Sequence, residues 1–475
     1  MRAASAVASS CALVFVLLAI PTRAAAQAKP NAATPSTGDA ATHDAAADKA
    51  VAQEPAATPA PVGAPPVVPG IAGWNGEHFF IRSADGQFQL SPFGYLNANY
   101  SVYDGDGTPP NGFAIKRARL GFQGQFGKQI DYMLSADVVA SSVSVRDAYV
   151  QIKPYRELQL RVGQFKEPFS QEVGTVDTNL AFFDRSLVSA LYPSALGSFR
   201  SPGAMVFGSV GDGVFDYWVG AFNGRGILAP SSSNWPEVIG RIHIAPFHWT
   251  KVEAVRHLTI GGSFSFSREA AISNDQSFSG LINDGAYTFF PSFAINGVVD
   301  RFGGDFMWLL GPLGVRAEYA ELHEARDDVG SAAVQGGGYE SYPGVVGRGA
   351  YGQVSCFLTG ETEQEYDPPK VRHPVVGPAT PGTEGGRGIG AIQLAARLSW
   401  LSASAPGATF QTFAPTSVPS YRNNTDQITV GVNWYLNYWM IYKVDLDIDQ
   451  LRQPSVQGIL PQNYYVVTQQ IQFRF

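Results

Sequence analysis

The feature that most constrains this chain is an alternation of apolar and polar residues with a period of two, recurring from about residue 73 onwards. In "AIQLAARLSW", Ile392, Leu394, Ala396, Leu398 and Trp400 share one face, while Gln393 and Arg397 take the other. "MIYKVDLDI" sets Met440, Tyr442, Val444, Leu446 and Ile448 against Lys443, Asp445 and Asp447. "LQLRVGQF" and "DAYVQIK" repeat the pattern with Leu158, Leu160 and Val162, and with Ala148, Val150 and Ile152. Side chains of a strand point alternately to its two faces, so each segment is a strand with one apolar and one charged face. No apolar run in this stretch is long enough for a membrane helix.

A soluble sandwich with one wet face also alternates. Two features point elsewhere. The polar face carries full charges in mid-strand while the apolar face is unbroken. Connections also alternate in length: "QFGKQ" and "PYRE" are tight, whereas "YDGDGTPPNG" and the stretch from Ser170 to Pro202 are long. Short turns at one end and long loops at the other are the pattern of an outer-membrane β-barrel. Closure leaves no unpaired backbone in lipid.

The last residues, "YYVVTQQIQFRF", fit as the strand that closes such a barrel. Tyr465, Val467, Ile471, Phe473 and Phe475 face one way, with Gln469 the exception, and Thr468, Gln470, Gln472 and Arg474 face the other. The terminal Phe475 resembles the signal by which the outer-membrane assembly machinery recognises its clients. Roughly 405 residues at about 25 per strand, loop included, make about 16 strands, an even number. The expected fold class is therefore all-β, a transmembrane antiparallel β-barrel of about 16 strands over residues 73–475. Its interior is too wide for side chains to fill and should hold a water-filled lumen.

Residues 1–28 read as a signal peptide, with Arg2, an apolar core from Cys11 to Ile20 and small residues at Ala24-Ala25-Ala26 or Ala26-Gln27-Ala28. Residues 29–72 are rich in Ala and Pro, too poor in apolar bulk to offset their ordering entropy, and are expected to be a disordered linker. After cleavage Cys356 is the single cysteine, so stability must come from something other than an intramolecular disulfide. The chain has 33 Lys and Arg against 40 Asp and Glu, a net charge of −7, which suggests no nucleic-acid partner.

By strand parity the lumen face carries Arg117, Arg119, Arg161, Arg241, Arg316, Arg397, Lys443 and Arg474, together with Asp147, Glu318, Asp445 and Asp447. "FAIKRARLGF" gathers Lys116, Arg117 and Arg119 within four residues, a group able to replace part of an anion's hydration shell. Parity turns Lys116 away from Arg117, which places it near a rim where the strand twists. "ELHE" (321–324) reads as an exposed loop end. Trp434, Tyr435, Tyr438 and Trp439 bracket a short turn and read as the periplasmic aromatic girdle. No compact Ser, His and acid constellation stands out, so the expectation is no enzyme, no metal and no cofactor.

Three segments resemble the phosphate-selective porins of the O and P type: "FAIKRARLGFQG" (113–124), "LQLRVGQFKEPFSQE" (158–172) and "VGVNWYLNYWMIYKVDLD" (430–447). That resemblance implies a 16-stranded homotrimeric channel in outer-membrane lipid, with its third loop folded into the lumen and basic residues drawing small anions through. Lys116 and Arg117 match the family's paired basic residues. The loop from Ser170 to Pro202, with Arg185 and Arg200, would form the constriction, and Arg119, Arg161 and Lys166 would complete the anion pathway. Where phosphate-specific members place a lysine after the glutamate matching Glu172, this chain has Val173. A general porin for small hydrophilic solutes, or a barrel that tethers the envelope through residues 29–72, are the alternative readings.

Overall fold

In a computed structural model of the chain, one antiparallel sheet of 18 strands closes on itself. Two of the 18 form an N-terminal hairpin, Ile71–Trp74 with Phe79–Arg82, and the other 16 form the barrel. The structure describes residues 71–74, 79–105, 108–139, 142–195, 198–231, 233–270, 281–282, 287–288, 295–330, 339–377, 388–406, 420–451 and 463–475. The expected signal peptide, and the expected linker up to residue 70, lie outside these residues.

The first half of the barrel comprises β1 (Phe88–Asp104), β2 (Gly112–Phe126), β3 (Ile130–Val139), β4 (Ser142–Ile152), β5 (Gln159–Lys166), β6 (Arg200–Val210), β7 (Phe215–Phe222) and β8 (Glu237–Ile244). The second half comprises β9 (Leu258–Glu269), β10 (Gly297–Leu310), β11 (Leu313–Gly330) and β12 (Tyr339–Phe357). It ends with β13 (Ala391–Pro406), β14 (Ser420–Tyr435), β15 (Met440–Leu451) and β16 (Asn463–Arg474). Each strand pairs with the next, and β16 pairs back onto β1 from Tyr465↔Asp104 to Arg474↔Tyr95. Phe475 extends the seam, exchanging backbone hydrogen bonds with Gly94 at 2.9 and 3.1 Å.

The barrel is apolar outside and polar inside, as parity requires. Phe113 on the outer face is 88 % exposed, whereas Asn433 and Gln472 on the inner face are 0 % exposed. Gln469, the polar exception on the outer face of β16, accepts a hydrogen bond from the Tyr442 hydroxyl at 2.7 Å, which satisfies it beside lipid. Tyr435 departs from the expected girdle. Parity turns it inward, where it packs with Phe357, Val371, Ala391 and Ile441, while Trp434 faces outward.

Three further expectations need correction. "ELHE" is not a loop end but mid-strand in β11, with Glu321 and His323 on its outer face and His323 between Asp300 at 2.8 Å and Glu321 at 2.9 Å. The third loop ends at Phe199 rather than Pro202, so Arg200 stands on the wall in β6. The short-turn end is not short throughout, since residues 358–390 separate β12 from β13.

Strand registers also slip where one strand carries an extra residue. Asn97 pairs with Arg117 and Ala98 with Ile115, so Lys116 is a β-bulge in β2. Ser135 pairs with Asp147 and Ala136 with Val145, so Arg146 is a bulge in β4. A bulge breaks the period of two and re-aims a side chain. That is why Lys116 points into the lumen with Arg117, contrary to simple parity, and why Arg146 joins Asp147 there.

The interior also holds a dry core. The loop between β5 and β6 folds inward and packs Phe169, Val173, Leu187, Val188, Leu191 and Tyr192 against Ile239, Leu322, Val345 and Leu401 of the wall. Wall glycines make room for it. A Cβ at Gly303 would meet the Phe169 ring at 3.0 Å, one at Gly349 would meet Val188 at 3.0 Å, and one at Gly431 would meet Phe182 at 3.1 Å. Each fully buried apolar side chain of this size contributes about 1.5–3 kcal/mol, so the loop has a definite seat.

Candidate functional site

The loop begins where β5 stops after only eight residues, part-way across the barrel. Ser170 caps a single helical turn, Gln171–Gly174, by accepting a hydrogen bond from the Val173 amide at 3.0 Å. Two 3-10 turns follow, Asp177–Asn179 and Leu187–Leu191. The backbone polar groups such a segment leaves open are met by the wall. Lys443 donates to the Leu180 carbonyl at 2.5 Å, Asn433 to the Ala181 carbonyl at 2.7 Å and Arg397 to the Asp184 carbonyl at 3.0 Å. The Glu318 carboxylate accepts from the Glu172 amide at 2.6 Å and from the Tyr192 hydroxyl at 2.7 Å.

On its other side the loop faces β2–β6, and there the basic residues gather. Asp177 is their hub. Its carboxylate accepts from Arg185 at 2.6 Å and lies 3.7 Å from both Arg117 and Arg119. Burial pushes the Asp177 carboxyl up, but Arg185, Arg117, Lys166 and Arg119 outweigh it and hold it well below the usual carboxylate range. Arg119 also grips Asp137 with two hydrogen bonds, at 2.5 and 2.9 Å, and Arg146 joins the same carboxylate at 2.8 Å. Arg200 binds Asp147 through two hydrogen bonds, at 3.0 and 3.1 Å. Lys116 pairs with Asp184 on the loop, its ammonium 3.7 Å over the Phe183 ring.

Lys166 and Arg161 differ in having no carboxylate in hydrogen-bond reach among the described residues. Lys166 donates to the carbonyls of Val173 at 2.7 Å and Thr175 at 2.8 Å, which ties the strand end to the loop. Arg161 donates to the Gln151 side-chain oxygen at 3.0 and 2.6 Å and lies 4.4–5.4 Å from the rings of Tyr149, Phe165 and Phe207.

All seven basic residues singled out in the sequence therefore line this part of the lumen. Lys116, Arg117, Arg119 and Arg185 converge on two loop aspartates, Lys166 and Arg200 flank them, and Arg161 stands apart. Arg146 was missed because parity pointed it outward. With it, eight bases (Lys116, Arg117, Arg119, Arg146, Arg161, Lys166, Arg185, Arg200) meet six carboxylates: Asp137, Asp147, Asp177 and Asp184, which pair with them, and Glu167 and Glu172, which lie beside them. The local balance is basic in a chain whose total charge is −7.

A second inward segment was also missed. Residues 358–377, from the short-turn end, place Glu363 where it accepts from Ser355 and Gln393 at 2.5 Å. Arg316 donates to the Gln364 carbonyl at 2.8 Å, and Asn179 of the loop donates to the Tyr366 carbonyl at 2.6 Å. Two insertions from opposite ends thus touch inside the barrel. "GETEQEYDPP" (360–369) was the available signal, an acidic stretch too long for a tight turn.

Among solved structures, the fold is similar to outer-membrane expressed OmpT of Vibrio cholerae, with a TM-score of 0.50 and 10 % identity, over 82 % of this chain and 98 % of that one. The outer membrane channel DcaP of Acinetobacter baumannii gives 0.49 and 11 %, over 83 % and 99 %. Salmonella typhi OmpF in complex with daunomycin gives 0.49 and 12 %, over 85 % and 100 %. At such an identity the likeness to OmpT concerns the barrel fold alone. No curated protein sequence matches the chain. The family model for phosphate-selective porin O and P matches residues 93–448, which run from β1 into β15 and include both bulges and both inward segments, and the chain belongs to that family.

Proposed function

We propose that this outer-membrane channel passes small hydrophilic solutes by diffusion and prefers anions, with Lys116, Arg117, Arg119, Arg161, Lys166, Arg185 and Arg200 along the pathway. The observation that carries the reading is the excess of eight bases over six carboxylates where the loop meets β2–β6. An anion entering there exchanges water for N–H donors already held in place, so little rearrangement opposes its entry. A cation meets carboxylates already engaged by arginine. No covalent step is needed. Trimerisation, and uptake by the assembly machinery through Phe475, follow from the family resemblance and the terminal strand.

The test is the reversal potential of the purified channel in planar bilayers under a KCl gradient. An anion-signed potential is expected, and Arg117→Glu with Arg119→Glu should move it towards cations. A near-zero potential unaffected by that double variant leaves a general porin, and the absence of any current favours the envelope tether.

A further inference from the structure

Beneath the loop, against β1–β8, lies a chamber of about 450 Å³. Its apolar lining is aromatic and thioether, Phe93, Tyr149, Phe165 and Trp218 with Met133 and Met205, and it sits beside a charged set in which basic residues outnumber the carboxylates of Asp147 and Glu167. A lumen that only conducts hydrated ions has no use for such a surface, since apolar walls offer an ion nothing in exchange for its water. The size falls within the range of small-molecule sites, which are mostly apolar with a few placed polar groups.

The cations around the chamber are not equally available. Arg119, Arg200 and Arg241 each hold a carboxylate with two hydrogen bonds, on Asp137, Asp147 and Asp305. Lys166 is spent on two loop carbonyls. Among the described residues Arg161 is bound only to the Gln151 side-chain oxygen, through Nε and one terminal nitrogen, with aromatic rings over its faces. A guanidinium has five N–H donors, so its remaining edge can bind an anion.

We propose that this chamber selects organic monoanions with a planar aromatic body, aromatic carboxylates above all, with Arg161 anchoring the carboxylate and Tyr149 and its neighbours receiving the ring. Inorganic phosphate fits the chamber less well. It is strongly hydrated and needs several donors at once, whereas one uncommitted guanidinium beside aromatic rings suits a single carboxylate on an apolar body. The inference rests on the anion-preferring reading above and adds the class of solute.

The experiment is block of single-channel chloride current by benzoate, acetate or inorganic phosphate in planar bilayers. Benzoate is expected to half-block at about a tenth of the acetate or phosphate concentration or less, given the added ring contacts. Arg161→Gln should raise the half-blocking benzoate concentration about tenfold, the scale of a lost charge-assisted pair. Tyr149→Leu should weaken benzoate while leaving acetate unchanged, which separates ring recognition from charge. If Arg161→Gln fails to give the compact band of a folded barrel on unheated gels, Arg161→Lys is read the same way, because it keeps the charge but loses the planar fork. Benzoate no better than acetate, or benzoate block indifferent to Arg161 in a folded channel, overturns the proposal. A cation-signed reversal potential in the wild type refutes the anion reading itself, whereas an anion-signed potential with equal block by all three overturns only this one.

Discussion

Replacing Asp177 by Asn removes one negative charge where three guanidiniums converge and keeps the side chain's shape. Its carboxyl is held far below the usual range, so the charge is present at neutral pH and its loss is a full unit. An anion passing about 6 Å away gains roughly 332/(80 × 6), or about 0.7 kcal/mol, if the lumen screens like water, and a cation loses as much. The difference of about 1.4 kcal/mol is about tenfold in the anion-to-cation permeability ratio. Weaker screening near the wall enlarges the effect. Breaking a buried pair also costs about 3–5 kcal/mol, and here that falls on the Arg185 latch. The loop keeps its anchors to Lys443, Asn433 and Arg397, so it should stay seated. The assay is the reversal potential of both proteins in planar bilayers, at a salt low enough for the Debye length to exceed about 10 Å. A potential that is unchanged, or moves towards cations, in a channel with wild-type folded mobility would refute the role given to this hub.

Three further outcomes follow from the geometry. Deleting Lys116 removes the bulge residue and lets β1 and β2 pair without a slip, so the barrel should fold with wild-type gel mobility while anion preference falls by the effect of one charge. Gly303→Val drives a side chain into the Phe169 ring and should destabilise the loop's seat by about 1–3 kcal/mol, read as noisier and larger single-channel currents. The Asp177 latch should be insensitive to pH between about 8 and 5. A carboxylate with a depressed folded pKa stabilises fully above its unfolded value near about 4 and loses that contribution as pH falls through the lower folded value. Current steps should therefore change only below about pH 4, and a transition centred near pH 6 would contradict the pairing.

The sequence by itself determined the architecture and the sign of each face. Period two assigned Lys443, Asp445, Arg397 and Arg474 to the lumen because strand geometry is local. Residue count predicted sixteen strands because each crossing has a fixed length. Tertiary structure decided what a period cannot encode. Whether Lys116 or Arg146 faces inward depends on one extra residue relative to the neighbouring strand, and a register is a relation between two strands. The pairing of Arg117, Arg119 and Arg185 around Asp177 joins a wall to a loop some sixty residues away, and the loop's seat depends on glycines in β10, β12 and β14 that look like ordinary turn or strand glycines in sequence. The inward course of segment 358–377 is decided by its contacts to Arg316, Gln393 and Asn179, which exist only once the barrel has closed around them. Alternation along a strand is written into neighbouring residues; which charges meet across the lumen is set by closure, and closure is a property of the whole sheet.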